Sequence, residues 1–529
     1  MRLPVYKQTM ILGFTSTKNT KFPNQMMMEL LMACVPFLLS LALIQAVKLI
    51  SKGSKTASSG KLPPGPTPLP ILGNLLKLGD KPHKSLAKLA KIHGPLMSLK
   101  LGQITTVVIS SSSLAKQVLQ TFDLSFCNRP VIEAIRARGH HEVSVAWGPV
   151  GVPWRNLRRI CNSNIFANQK LDSDQDLRRK KIQELVNQVD ESCRLGAAVD
   201  IGQVAFKAML NVLSTTIFSL DLSDSDSDIV KEFKEVVRCI MDEVGKPNLA
   251  DYFPLLRKID PQGIKGRLEI HFGLLFDLFD RIIDERLLLR KQQSYIPSND
   301  LLDTLLSLNE DNSEDLDMNC IKHLFLDLFA AGTDTTSSTL EWAMTELLRN
   351  PKILSKAKAE IEQTIGKGKL IQDSDVDRLP YLQAIIKETF RLHPAVPLLL
   401  PRRAGVDVEM CGFTVPKDAQ VMVNVWAIGR DPSLWEDPDL FMPERFLGSD
   451  IDARGRNFEL IPFGAGRRIC PGLPLATRML PLMLGSLINS FGWKLEDGII
   501  AQTMDMEDRF GVTLQKAQPL RAIPLPLQR

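Results

Sequence analysis

The sequence predicts a mainly α-helical protein with small β-sheets, built as one large domain behind an N-terminal membrane helix. Three observations predict it. Residues 170–300 are rich in charge yet carry apolar residues at helical spacing, and residues 318–349 repeat that spacing with Ile321, Leu324, Phe325, Leu328 and Phe329. Strand-like runs are short; the clearest is Leu96–Ser110, divided at Gly102. Residues 30–47 form 18 consecutive positions without a charge, close to the roughly 20 apolar residues a bilayer span needs.

The chain has 529 residues, 44% hydrophobic and 24% charged, an ordinary globular composition with ample length for a large core. No linker divides it after residue 70. The formal charge of +5 is unevenly spread: residues 1–61 hold eight Lys and Arg against Glu29 alone, hence +7, which leaves −2 for the rest. Basicity confined to the terminus points to a membrane or targeting role there and away from nucleic acid. The eight cysteines form no C-x-x-C and no His pair has metal spacing, which excludes a disulfide framework and a zinc site. No N-x-[ST] acceptor occurs, in keeping with a domain outside the lumen.

Taken in order, residues 1–29 read as a leader or as an extension upstream of a start at Met26, Met27 or Met28. Residues 30–50 read as a transmembrane anchor, with Lys48 snorkelling. A cleaved signal peptide would have a shorter apolar stretch ending at small residues; here Lys48, Lys52 and Lys55 follow, a stop-transfer pattern with the downstream side cytosolic. That orientation is clear for a start at Met26–Met28, whereas a start at Met1 puts four basic residues on each side. Residues 51–70 form a basic, proline-rich hinge, with five prolines from Pro63 to Pro70 stiffening it as an arm. Residues 71–529 read as the globular body.

Within the body, residues 113–120 read as a helix. Pro153 suits a helix first turn, and Trp154 and Arg158, four apart, share one face. The Ser/Asp run from Asp221 to Asp228 reads as a solvated loop, and Gly245–Asn248 and Asp260–Gly263 punctuate helices. The long helix over 318–349 carries Ala330-Ala-Gly-Thr-Asp-Thr-Thr-Ser337 at its centre. These residues cost on the order of 3 kcal/mol relative to alanine in a helix interior, and a helix that breaks its local rule at mid-length marks function. Gly332 removes bulk so that a ligand can lie on the backbone. Thr335 can bond the Ala331 carbonyl and loosen the helix. Asp334 and Thr335 set an acid beside a hydroxyl, the parts for proton delivery. Further on, Glu388 and Arg391 are spaced to pair on a helix bracketed by Pro380 and Pro394. Ala395–Pro401 is apolar and suited to lining a pocket, and Phe510–Thr513 is expected to return as a strand pair touching it.

Phe463-Gly-Ala-Gly-Arg-Arg-Ile-Cys-Pro-Gly472 holds one cysteine among three glycines, a proline and two arginines. Glycines permit close backbone approach, N–H groups and nearby cations favour a thiolate, and Pro471 fixes the chain direction past the sulfur. A thiolate so held is a soft metal ligand. A dinucleotide loop fits poorly, because Ile469 stands where a third glycine is required and no βαβ unit surrounds it.

Phe-x-x-Gly-x-Arg-x-Cys-x-Gly, filled at every fixed position by Phe463, Gly466, Arg468, Cys470 and Gly472, resembles the heme-binding signature of the cytochrome P-450 superfamily. The resemblance covers nearly the whole chain from about residue 30. It implies a heme-thiolate monooxygenase fold with heme b as cofactor, Cys470 as the axial iron ligand and Arg468 on a propionate; a thiolate ligand favours O–O cleavage. Trp154 and Arg158 match the family's Trp-x-x-x-Arg pair at a propionate. Ala331, Gly332, Asp334 and Thr335 match its oxygen-activation motif. Arg402, with Arg403 competing, stands where the family puts a further propionate partner. Glu388, Arg391 and Arg445 match its structural clasp, which is not catalytic. The chain carries no flavin or NADPH motif, so the resemblance implies an NADPH–cytochrome reductase as electron donor, with Arg155, Arg159 and Arg467 as a candidate docking face, on the endoplasmic reticulum membrane. Pro247–Pro254, Ile259–Gly263 and Gly472–Arg478 look closest to plant microsomal enzymes of the geraniol 8-hydroxylase and ferruginol synthase group. That implies a small apolar substrate, a terpenoid such as geraniol, hydroxylated with O2. A flavonoid or phenylpropanoid hydroxylase shares every motif. A heme-binding sensor or a non-oxygenating isomerase has no need of the Asp334–Thr335 pair.

Overall fold

A helix of 32 residues, Met318–Arg349, runs through the protein, about 48 Å long. Asp317 caps it by accepting the Cys320 N–H at 2.6 Å, and Asn350-Pro351 ends it and begins the next helix, Pro351–Thr364. The computed structural model describes residues 61–221, 228–298, 300–310, 316–496 and 498–527. The chain divides into two units, Met1–Gly60 and Lys61–Arg529, and the second is the body considered below. The expected leader, the anchor at 30–50, residues 51–60 of the hinge and the centre of the Ser/Asp run lie outside the described residues.

The long helix is continuous through Ala330–Ser337, where loosening is expected from its sequence. Its hydroxyls explain why. Thr333, Thr335, Ser337 and Thr339 each donate to the carbonyl four residues back, at 2.7–2.9 Å. Residues that disfavour helix by competing for backbone here satisfy themselves within it, so they can be buried without breaking the ladder.

Two apolar clusters flank this helix. Its C-terminal half (Leu340, Met344, Leu347) packs with Pro380–Leu392 and Leu473–Ser490 through Leu382, Ile385, Met483, Leu484 and Leu487. Its N-terminal half meets an aromatic cluster: Phe325 edge-on to Phe218 at 4.9 Å and Phe329 edge-on to Phe233 at 4.7 Å. Phe218 ends Ile201–Phe218, a helix apolar enough to cross a membrane; two-thirds of its residues are buried, which makes it a core helix. The amphipathic region of the sequence supplies Gln175–Leu195, Asp228–Val244 and Ile264–Arg290. Gly263 (φ +64°) stands before the last of these, where the Asp260–Gly263 break is expected.

The largest sheet has four strands in the order Leu96–Leu101, Ile104–Ile109, Gln420–Val423, Arg402–Arg403. The first two form the expected hairpin around Gly102 (φ +58°), closing on the pair Leu101–Ile104. The proline-rich stretch is less of an arm than its sequence suggests. Ser98 donates to the carbonyls of Pro63 (2.6 Å) and Pro64 (2.8 Å), and Asn74 donates to those of Pro66 and Thr67. A side chain on Gly65 would strike the Ser98 carbonyl. Prolines have no N–H to give, but their carbonyls tie this segment to the sheet, so the body starts at Lys61 rather than 71. The tail forms a two-stranded hairpin, Asp508–Arg509 with Gln515–Lys516, and Phe510–Thr513 is its turn rather than a strand pair.

The clasp forms as its spacing requires. Arg391 holds both oxygens of Glu388 at 2.7 Å, Arg445 adds a bond of 3.1 Å, and the Met442 N–H a fourth of 2.7 Å. Glu388 and Arg391 are buried completely, and the remaining guanidinium protons go to the carbonyls of Gly429, Pro438 and Leu440. Glu388→Ala strands two guanidiniums in the interior and should lower unfolding free energy by about 3–5 kcal/mol. Denaturant unfolding measures this; a change below about 1 kcal/mol would mean that the network is not a major determinant of stability.

Candidate active site

Two left-handed glycines shape the loop that carries Cys470. Gly464 and Gly466 both have φ +69°. A Cβ on Gly466 would run into the Leu119 carbonyl, so this glycine makes room for protein backbone, not for a ligand. The Cys470 N–H donates to the Phe463 carbonyl at 3.0 Å and closes the loop. Gly472 then leads into Leu473–Ser490, and the N–H groups of Gly472 and Leu473 reach the sulfur. Burial pushes the Cys470 thiol up, and these N–H groups with Arg158 pull it down by less. Desolvation is the larger effect at this sulfur, and the N–H groups and Arg158 act against it in the direction the sequence suggests.

Cys470 opens on a cavity of about 330 Å³, within the range of small-molecule sites. Trp154, Arg158, Arg402, Phe463, Arg468 and Gly472 share its wall, and so do Ala331, Gly332 and Thr335 of the long helix. Gly466 and Asp334 do not. A Cβ on Gly332 would come within 2.9 Å of Leu213, so its small size also serves the crossing with Ile201–Phe218. Asp334 and Thr335 lie about 100° apart around the helix. Thr335 borders the cavity and donates to Ala331 at 2.7 Å. The Asp334 carboxylate accepts from the Gln515 amide at 2.7 Å, on the tail hairpin, and burial pushes its pKa up. The expected acid–hydroxyl pair is thus split between the cavity and the hairpin.

At the cysteine end, buried guanidiniums converge without a carboxylate in ion-pair contact among the described residues. Arg468 donates to the carbonyls of Cys127, Ala146 and Gly148. Arg129 donates to Ala146, Leu400 and Pro401. Arg402 reaches Phe126 and Ala465, and Arg158 reaches Ile469. Burial and mutual repulsion depress Arg129 and Arg468, the latter to about 10, and burial takes Arg402 to about 10. Such a cluster calls for an anion. Between Arg402 and Arg403 strand alternation decides: Arg402 is buried on the cavity wall, Arg403 exposed. Arg129 is absent from the sequence reading, and its local sequence carries no signal of burial. The Trp154 indole N–H, expected at a propionate, is engaged by the Val145 carbonyl at 3.0 Å, and its ring lies under the Arg468 guanidinium at 4.8 Å. Of the candidate docking residues, Arg155 and Arg159 are exposed, while Arg467 pairs with Asp123 at 3.0 Å.

A second polar group borders the cavity. His140 and Asp327 lie on its wall, with His140 Nε2 3.3 Å from the carboxylate. Asp327 also accepts from the Ser144 hydroxyl (2.9 Å) and the Val145 N–H (2.7 Å). The two Nδ1 atoms of His140 and His323 are 2.9 Å apart, and burial with His140 lowers His323 to about 4.

A cavity that offers the loop-held Cys470 sulfur beside a second cysteine, Cys161, with apolar walls and unmatched guanidiniums, suits a class of protein built around a flat, iron-bearing, dicarboxylate cofactor. The family model for Cytochrome P450 matches residues 63–520, and the chain belongs to that family. Geraniol 8-hydroxylase of Swertia mussotii is 56% identical over 499 residues, covering 94% of this chain and 99% of the relative. Drimenol monooxygenase of Persicaria hydropiper is 55% identical over 471 residues, 89% and 93% of the two chains. The solved structure of a zebra fish cytochrome P450 with progesterone matches with a TM-score of 0.72 at 27% identity, over 84% of this chain and 99% of that one. The protein is therefore a heme-thiolate monooxygenase that binds heme b through a cysteine and takes electrons from a reduced flavoprotein. The residues present fit that cofactor, since its two carboxylates answer the arginines and its iron the sulfur.

His323 gives a pH test. Its native pKa of about 4 lies below the ordinary 6.5, so between those values the unfolded chain binds a proton that the native state refuses. Stability then falls as pH drops from 6.5 to 4, by up to about 3 kcal/mol for this group. His323→Gln should flatten that part of the denaturation-versus-pH curve; an unchanged slope would mean the native imidazole titrates normally.

Proposed function

We propose that this chain hydroxylates a small terpenoid alcohol such as geraniol, with Cys470 as the heme ligand. The observation that carries the cofactor assignment is the single cavity bordered by Cys470, by the unmatched arginines and by Thr335. In this reading Arg129, Arg402 and Arg468, with Arg158, hold the heme carboxylates, and Trp154 holds Arg468. Gly472 and Leu473 orient the sulfur through their N–H groups. When bound, heme b supplies activation of O2, so that one oxygen atom enters a C–H bond and the other leaves as water at the expense of NADPH. Thr335 keeps a hydroxyl on the cavity wall to position protons. Asp334, its carboxyl raised by burial and held by Gln515, is the proton source behind it, reached by rotation of its side chain or through water.

The substrate reading rests on the two relatives, named for geraniol and drimenol, together with walls built mainly of Leu, Val, Phe and Ala. Residues 1–29 remain a leader or start-site extension in this account, 30–50 a single membrane anchor, and 51–60 the basic remainder of the hinge. Together they hold the catalytic domain on the cytosolic face of the endoplasmic reticulum, where NADPH–cytochrome reductase meets it.

Microsomes carrying the protein and its reductase should oxidise geraniol with NADPH and leave naringenin unchanged; the reverse preference would overturn the terpenoid reading. Thr335→Ala should retain the heme spectrum while product formed per NADPH falls about ten-fold. Full coupling in that variant would remove Thr335 from proton handling.

A further inference from the structure

Away from the arginines, the titratable side chains on the cavity wall among the described residues are His140 and Asp327, apart from the cysteines Cys161 and Cys470. His140 Nε2 faces the Asp327 carboxylate at 3.3 Å, and its Nδ1 shares a hydrogen bond with His323 Nδ1. Asp327 accepts hydrogen bonds from the Ser144 hydroxyl and the Val145 N–H, with His140 Nε2 3.3 Å from the carboxylate. An ionised carboxylate accepts about four.

Position along the helix gives the open acceptor a meaning. Asp327, Ala331 and Thr335 are four apart, on one face, and all three border the cavity. Eight residues separate Asp327 from Thr335, about 12 Å at the α-helical rise. An acyclic terpenol carbon chain of eight bonds from hydroxyl oxygen to far-end methyl spans on the order of 10 Å at the extended reach of about 1.2 Å per bond. A hydroxyl bound at one end of this face therefore presents the other end of the chain near Thr335.

We propose that Asp327, positioned by His140, Ser144 and the Val145 N–H, anchors the substrate hydroxyl by accepting its hydrogen bond and so selects which carbon is oxidised. This rests on the terpenoid-alcohol reading above and goes beyond it. The site takes a neutral hydroxyl donor at the end of an apolar chain. It disfavours the corresponding ether, which has no proton to give, and the carboxylic acid, whose charge is repelled.

The experiment uses the full-length heme-loaded protein in microsomes and titrates spectral binding of geraniol and of geranyl methyl ether. Wild type should bind the alcohol roughly ten-fold or more tightly than the ether, the worth of one hydrogen bond to a charged group. It should oxidise the alcohol at its far end and spread oxidation of the ether over several carbons. Asp327→Ala, which leaves no acceptor at this position, should with an intact reduced-CO spectrum reduce the preference to about two-fold or less. Should that variant lose its heme, His140→Gln, which keeps the cavity wall and changes the donor to Asp327, should weaken the same preference. Equal wild-type affinity for alcohol and ether overturns the anchor and leaves the terpenoid reading standing. Binding of neither overturns both.

Discussion

Positive charge buried without a counter-charge is the constraint on which the rest of this structure turns. Arg129, Arg402 and Arg468 are held inside by backbone carbonyls, and burial depresses the pKa of each, with repulsion adding to it at Arg129 and Arg468. Carbonyl dipoles orient guanidiniums but do not neutralise them. The elements that present these arginines are drawn from distant parts of the chain: the loop at Arg129, the sheet edge at Arg402 and the cysteine loop at Arg468. In the proposed site a dicarboxylate cofactor would link all three, and its binding would be coupled to the stability of the folded body.

The long helix solves a related problem on the other part of the cavity wall. Functional residues there must be small and polar, and such residues weaken helices. Hydroxyls bonded to carbonyls one turn back keep the ladder unbroken. The same helix carries the Asp327 acceptor and Thr335 along one face and turns Asp334 towards the tail hairpin. The clasp at Glu388 fixes a neighbouring helix by a different device, an ion network satisfied at nearly every proton.

Much of this is legible in the sequence where local chemistry decides. The helix at 318–349, the hairpin around Gly102, the Glu388–Arg391 pair and the cysteine loop all follow from spacing and turn residues. Position in three dimensions decides the rest. Nothing local distinguishes Arg129 from a surface arginine, because its burial comes from partners such as Leu400, some 270 residues away. Spacing sets Asp334 beside Thr335, but only the tail hairpin shows where its carboxylate goes. The Pro63–Pro70 stretch reads as an arm because proline lacks a donor, whereas its carbonyls, invisible to that argument, are what tie it down. His140 and His323 lie too far apart in sequence to suggest contact.

The central claim is that the sulfur of residue 470 is the protein's bond to iron. Reduced-plus-CO spectroscopy of Cys470→Ser tests it most directly, with Cys161→Ser as the control for a second sulfur on the same cavity. The account predicts that Cys470→Ser loses the thiolate-type Soret band while Cys161→Ser keeps it. A thiolate-type band that persists in Cys470→Ser would contradict the assignment, and with it the arrangement of the whole site.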